Sequence, residues 1–372
     1  MKYAPRNNMK RNINSIPTAA DTEEDTNMVF SESGIFKTYY KLATNYVKNL
    51  TLDQKIGQLL LVKYKESDTK IHNYSPAGFI LYEDDFADKT KVEVINMIKS
   101  IQSKGKIPYL ISVDEEGGNV VRVSSNNKLV EEMYKSPSYI YNHGGIDAIK
   151  QDTVTKNKEL YTLGINVNLA PVVDVSLDNT SYIYERTLKE DVEEVSRYAK
   201  AVITSSKNTG MSNVLKHFPG YGDSTDTHTT KPTNNREYND IKTEYLPPFE
   251  AGIDNGAEAV LVNHIIYTNI DDTNPASLSR ATIKLLRDSL NFTGVVISDD
   301  LEMGALEDIS NVYSKAIKAG NDLLIVDNYS NAIKDIKKAI IDEELTENEI
   351  NDHAARVIAW KYYKGLMNNT TK

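Results

Sequence analysis

The 372 residues could form two ordinary domains or one α/β barrel, a single-domain fold that commonly takes about 250 residues. A hydrophobic content of 40% is enough for a substantial core, and a net charge of −10 argues against a nucleic-acid or anionic-membrane partner, since both select a basic face. There is no cysteine, which excludes disulfides, thiolate zinc sites and cysteine nucleophiles and leaves a small neutral or sugar-like substrate open.

Residues 1–33 are polar, rich in Asn, Thr, Asp and Glu and without hydrophobic periodicity. They read as a disordered arm ahead of one catalytic unit over residues 34–372. The segment from Met1 to Arg11 is basic but has no apolar stretch behind it, and no run of about 18 apolar residues occurs, so neither an intact signal peptide nor a membrane span is expected. A polar arm of this length suits a tether with its leader removed. The cell envelope or the extracellular space is therefore the favoured location and the cytoplasm the alternative, and a monomer is expected.

Beyond the arm, short β-type runs alternate with longer helix-type stretches. The runs are Gln58-Val62, Ala77-Tyr82, Tyr109-Val113, Asn166-Ala170, Val214-Lys216, Ala259-Val262, Val295-Ser298 and Asp322-Val326. They are continuously apolar rather than alternating, as in parallel strands covered on both faces, and the intervals leave room for helical crossovers. One helix is plain in the stripe Val94, Met97, Ile98 and Ile101, ended by Gly105 and Pro108. The last helix opens on the capping-box pattern Thr346-Glu-Asn-Glu349 and continues to about Leu366. Eight strand-helix units fit a single (β/α)₈ TIM-type barrel better than a doubly wound sheet.

In such barrels the chemistry lies at the C-terminal ends of the strands. Here Asp114 and Glu116 follow the third run, Asp174 the fourth, His264 the sixth, and Asp299 and Asp300 the seventh, while Lys216 and His217 sit at the fifth. The fifth run leads into the segment from Lys216 to Pro232, opening Lys216-His-Phe-Pro-Gly-Tyr-Gly-Asp223, whose glycines and prolines hold polar side chains on a shaped loop. Within that loop Asp226-Thr-His228 puts a carboxylate beside an imidazole, a pair suited to general acid/base work. The same residues would also suit a loop in which Asp226 and Thr227 cap turns and His228 is merely solvated. Asp299 can attack an anomeric carbon as a carboxylate nucleophile, with His228 protonating the leaving oxygen; Asp300 is assigned as an N-cap for the next helix. Asp114-Glu-Glu-Gly-Gly-Asn-Val-Val-Arg122 offers acceptors and a donor for sugar hydroxyls, or else a surface turn with an Asp-Arg ion pair. Arg186, taken alone, reads as a surface residue.

Taken together, Lys-Ile-Gly-Gln (55–58), Ala-Gly-Phe-Ile-Leu (77–81), Val-Asp-Glu-Glu-Gly-Gly (113–118), Ala-Pro-Val-Val-Asp-Val (170–175), Lys-His-Phe-Pro-Gly-Tyr-Gly-Asp (216–223), Asp-Thr-His (226–228), Pro-Ala-Ser-Leu-Ser (275–279) and Ser-Asp-Asp-Leu-Glu-Met (298–303) resemble the family 3 glycoside hydrolases. The resemblance is to their β-N-acetylglucosaminidase branch, which acts on bacterial cell-wall sugars, and runs from about residue 50 to 365. It implies the same barrel, Asp299 as nucleophile, His228 as acid/base and Asp226 as its partner. It also implies that Asp114, Arg122, Arg186, Lys216 and His217 bind a non-reducing N-acetylglucosamine, with no metal or other cofactor. The implied substrates are N-acetylglucosamine-containing muropeptides. The family's two-domain glucosidases take their acid from a second domain, whereas here the acid is expected from within the barrel. The chain departs from the family's habits at Glu115, where Gln is common, at Tyr221, where His is common, and after Arg186, where Ser-Phe-Gly is usual. A histidine acid/base does not repel anions, so phosphate could replace water. Two further readings remain: a metal-dependent barrel hydrolase chelating through Asp223, Asp226, His228 and His217, and a catalytically inert sugar-binding barrel.

Overall fold

The computed structural model describes residue 30 and residues 33–367. Eight parallel strands close into one barrel: β1 Leu60–Lys63, β2 Gly78–Ile80, β3 Leu110–Val113, β4 Val167–Asn168, β5 Ser212–Phe218, β6 Ala259–Val262, β7 Val295–Asp300 and β8 Leu323–Val326. They pair in sequence order, and β8 returns to β1 with Leu60 opposite Leu324. The fold is thus the single (β/α)₈ barrel that the sequence pattern predicts, and each apolar run falls on one of its strands. β5 and β7 outlast their apolar patterns and carry polar residues into the barrel mouth. The polar arm expected over residues 1–33 lies outside the described residues, apart from Phe30 and Ser33.

The longer helices are α1 Lys37–Val47, α2 Lys91–Ser103, α3 Gly145–Leu163, α4 Val192–Ser206, α5 Leu246–Asp254, α6 Val312–Ala319, α7 Tyr329–Ile341 and α8 Glu347–Tyr363. No described helix is long and apolar enough to cross a membrane. In α2 the predicted stripe is the inner face: Val94, Ile98 and Ile101 are buried, and Thr90 and Glu93 close a capping box ahead of it. Thr346 and Glu349 do the same for α8, which ends at Tyr363, a little short of Leu366.

Helix α8 seals the barrel at the strand starts, away from the mouth. Trp360 Nε1 donates to Glu258 just before β6 at 2.8 Å, and Lys361 Nζ donates to Gln58 before β1 at 2.8 Å. Lys361 is fully buried, and burial pushes its ammonium well below the usual lysine range. Arg356 and His353 of α8 both reach Asp322, the residue before β8, His353 at 2.8 Å. Arg287 bonds the same carboxylate at 2.6 Å, and the Val296 N–H donates to it at 2.9 Å. The ring of Phe30, itself buried, stacks 3.8 Å from the Arg356 guanidinium. Burial alone would raise the Asp322 pKa, but Arg356, Arg287 and His353 hold it well below the ordinary carboxylate range.

Asp322→Ala leaves two buried guanidinium groups without their counter-ion and should cost about 3–5 kcal/mol of stability. Urea denaturation should show this as a lower midpoint at unchanged slope. A change of less than about 1 kcal/mol, the worth of an exposed ion pair, would mean that this cluster does not hold the base together.

Candidate active site

The third strand ends at Val113 and the chain turns at once. Gly117 and Gly118 take φ values of +98° and +66°, and a Cβ on Gly117 would lie 2.2 Å from the Lys135 carbonyl oxygen, so the turn requires glycine. Glu115 folds the loop around itself, its carboxylate accepting from the N–H groups of Arg122 at 2.8 Å and Val123 at 2.6 Å. Asp114 and Glu116, two residues apart, both meet Lys216, each at 2.7 Å from Nζ. Glu116 also takes two bonds from Arg186, at 2.9 and 2.7 Å. Burial opposes the Glu116 charge, yet Arg186 and Lys216 hold its carboxyl far below the ordinary range. Burial likewise disfavours the Lys216 ammonium, and Asp114 and Glu116 reverse that effect, so the lysine stays charged.

Arg186 is therefore an inner wall of the pocket rather than a surface residue. The Asp-Arg surface pair considered for the Asp114 loop is not what forms, since Asp114 is engaged by Lys216. The Arg122 guanidinium lies 5.7 Å from the Tyr82 ring centre, Nη1 bonds the Val121 carbonyl at 2.9 Å, and the buried Nε has no partner among the described residues.

On β5 the pairing with β6 shifts register between Leu215 and Phe218, and Lys216 and His217 occupy the irregular step. Such bulges re-aim side chains. His217 donates Nδ1–H to Asp174 at 2.7 Å, which leaves Nε2 to accept from Arg186 at 3.1 Å. Asp174 also accepts from the N–H groups of His217 at 3.1 Å and Tyr221 at 2.7 Å, which fixes the start of the long loop.

A second register shift lies where β7 pairs with β8: Ser298 opposes Leu324, Asp300 opposes Ile325, and Asp299 is passed over. Burial opposes the Asp299 charge, but the imidazoles of His264 and His217, the Asp300 N–H and the Lys216 ammonium together hold its pKa below the ordinary value. It is an anion at neutral pH. Asp300 does not cap a helix, because the chain beyond it turns without starting one. Its Oδ1 accepts from the Glu302 N–H at 3.0 Å, and its carbonyl accepts from His264 Nε2 at 2.9 Å. The His264 Nδ1 in turn faces Oγ of Ser277, in the Pro-Ala-Ser-Leu-Ser segment, at 2.7 Å. Burial, together with the Glu302 carboxylate, pushes the Asp300 pKa up to about 8. The two adjacent aspartates are thus pushed in opposite directions.

The long loop returns over this pair. Asp226 Oδ1 accepts from the His228 N–H at 2.9 Å and from its Nδ1 at 2.6 Å, so Nε2 is left free to face a substrate. The Tyr182 hydroxyl stands 3.4 Å from the same Nδ1. Although the His228 side chain is 53% exposed, its backbone is tied to the loop that follows Asp299. Gly304 N–H donates to the His228 carbonyl at 3.2 Å, and Ala305 N–H to the Thr227 carbonyl at 3.0 Å. A Cβ on Gly304 would come within 2.6 Å of the His228 oxygen, so only glycine permits this approach.

The structure brings Asp299, Asp226, His228, Asp114, Arg122, Arg186, Lys216 and His217 to one mouth. It adds Glu116, Asp174 and His264, to which strand-end position gave notice but no role. The chelating set of the metal-hydrolase reading is not assembled. Asp223 pairs with Arg236 at 2.8 Å, His217 is bound to Asp174, and among the described residues no three His, Asp or Glu side chains converge as ligands.

Asp300 generates a pH prediction. Below about pH 4 its carboxyl is protonated folded or unfolded. As pH rises towards 8, the unfolded chain releases the proton and the folded one keeps it, so its contribution to stability falls across that window. Asp300→Asn cannot ionise and should gain on the wild type in melting temperature from pH 4 to 8. A difference that stays flat across those pH values would show that Asp300 ionises normally.

The comparisons with known proteins follow this geometry. The model of the glycosyl hydrolase family 3 N-terminal domain matches residues 51–360. A β-hexosaminidase of Xanthomonas campestris pv. campestris (strain B100) is 31% identical over 257 residues, which is 67% of this chain and 76% of that protein. One from Haemophilus influenzae is 31% identical over 279 residues, covering 73% of this chain and 78% of that one. The solved family 3 β-N-acetylglucosaminidase of Paenibacillus sp. str. FPU-7 superposes with a TM-score of 0.80 at 27% identity, over 87% of this chain and 64% of that longer one. The chain belongs to glycosyl hydrolase family 3.

Proposed function

We propose that this glycoside hydrolase is a retaining exo-β-N-acetylglucosaminidase that removes terminal β-linked N-acetylglucosamine from peptidoglycan fragments. The observation that carries the reading is the meeting of an ionised carboxylate, Asp299 near the end of β7, and a carboxylate-oriented imidazole, His228, whose loop is bonded to the segment that follows Asp299. The names of its relatives point to N-acetylhexosamine as the sugar. The pocket wall suits a neutral polyhydroxy ring: Lys216 and Arg186 are balanced by Asp114 and Glu116, so fixed donors and acceptors surround the ring without a large net charge.

In the first step Asp299 attacks the anomeric carbon while His228, protonated at both nitrogens, passes the Nε2 proton to the departing oxygen. The other proton stays on Nδ1, donated to the Asp226 carboxylate, which stabilises the imidazolium before transfer and fixes the tautomer after it. The result is a glycosyl ester on Asp299 and a neutral His228. In the second step the freed Nε2 takes a proton from water, the hydroxyl oxygen displaces Asp299, and the configuration is retained.

Asp299→Ala should abolish release of the phenol from a chromogenic N-acetyl-β-D-glucosaminide. A slowed fluorinated glycoside should leave its sugar on the peptide containing Asp299. His228→Ala should lose about 10²–10⁴-fold on sugar leaving groups and far less on activated aryl glycosides, because only the former need the proton. Equal losses on both substrates would contradict the acid role. The same assay in phosphate buffer separates hydrolysis from phosphorolysis by the appearance of sugar 1-phosphate.

A further inference from the structure

A cavity of about 420 Å³ opens at the ends of β1, β2 and β8, lined by Lys63, Asp68, Phe79, Glu302, Asp327 and Tyr329 among others. Strand order fixes its relation to the sugar seat. The residues proposed to hold the sugar come from β3, the loop after β4, and β5, and Asp299 stands on β7 at the anomeric end. The groove lies over β8 and β1, the strands next in order around the barrel beyond β7. Two inter-strand spacings amount to about 10 Å, enough for one further sugar unit.

The acids of this groove are already satisfied. Asp327 pairs with Lys65. Asp68 accepts from the Tyr329 hydroxyl at 3.0 Å and the Lys70 N–H at 3.2 Å. Glu302 accepts from the N–H groups of Asp327 at 3.0 Å and Asn328 at 3.2 Å and from the Tyr313 hydroxyl at 2.7 Å. Lys63 differs from them. It is half-buried, its Nζ lies 4.7 Å from the Tyr82 ring centre, and among the described residues no carboxylate comes within ion-pair distance of it. Its field reaches Asp85, but that carboxylate is engaged by the Tyr82 N–H at 2.8 Å. Arg122 is a second cation beside the Tyr82 ring, so Lys63 stands at the seam between sugar seat and groove.

We propose that this groove is the leaving-group subsite and that Lys63 selects leaving groups carrying a carboxylate. The proposal rests on the glycosidase reading above. Tyr329, half-buried in the wall, offers a face for a pyranose ring, and the free ammonium offers the carboxylate a charge-assisted partner.

The test compares kcat/KM on N-acetylglucosaminyl-β-1,4-N-acetylmuramic acid with that on its methyl ester, which removes only the charge. The wild type should prefer the acid, and Lys63→Met should lower the acid-to-ester ratio about tenfold, an effect of about 1.4 kcal/mol. Lys63→Arg, which keeps the charge, should retain most of the preference and shows that the position tolerates change. A wild type with no preference, or a ratio that Lys63→Met leaves unchanged, overturns the proposal. Wild-type hydrolysis of 4-nitrophenyl N-acetyl-β-D-glucosaminide is the separate control: if it is absent, the glycosidase reading fails rather than the subsite.

Discussion

The mouth of this barrel depends on one buried carboxylate. Glu116 is almost sealed from water and carries two cations at once, Lys216 from β5 and Arg186 from the loop after β4. Ionised groups out of water are costly, and such a cluster persists only where every charge has close, well-directed partners. Here the set closes. Lys216 is shared between Asp114 and Glu116, Arg186 meets Glu116 with two nitrogens and His217 with one of them, and His217 leans on Asp174. Three segments distant in sequence are thereby locked into one wall. A sugar entering the pocket meets donors and acceptors that need not reorganise, which is the condition for recognition of this kind to serve a reaction.

The barrel itself is largely in register, and its two irregular pairings fall where the chemistry does. One lies at Lys216 and His217, the other at Asp299. A regular strand would send alternate residues into the packed barrel and outward to the helices, leaving no way to present neighbouring polar groups to the mouth. Slipping the ladder frees them. The opposite end works differently: Arg356 and Lys361 of α8, with Asp322 and Arg287 beneath them, are shielded from water at the strand starts, away from the site. Stability and chemistry thus occupy separate ends of one fold.

What the sequence made legible follows from which signals are local. Eight apolar runs located eight strands because a parallel strand buried on both faces must be apolar along its length. Asp226 and His228 were legible as a pair because they bond across two residues. Glu116 was not, since its meaning comes from Arg186, 70 positions away, and Arg186 read as a surface residue for the same reason. Asp174 and His217 are 43 apart, and His264 reveals its task only when it reaches the Asp300 carbonyl. Asp300 looked like a helix cap because an aspartate often is one. The turn to Glu302 gave it a different partner, and burial then changed its protonation. The spacing of Asp114 and Glu116 did hold a usable clue, because residues two apart on extended chain face the same way.

The loop of Asp226 and His228 poses a contrary problem: it is half exposed, yet the role proposed for it requires it to sit accurately over the sugar. Side-chain packing cannot position it alone, as His228 has few close neighbours. Its backbone supplies the precision instead: two carbonyls of the histidine loop accept from two consecutive N–H groups beyond Asp299, and Tyr221 braces Thr227 between them with a 2.5 Å hydroxyl contact. The proposed proton donor is thereby fastened to the segment just beyond the proposed nucleophile, which the barrel itself holds on β7. Displacement of that segment carries the histidine loop with it, which favours a constant separation between the two groups. Under the proposed mechanism that coupling would let the loop stay open enough for Nε2 to exchange its proton with water in the second half of the reaction while still meeting the glycosidic oxygen in the first.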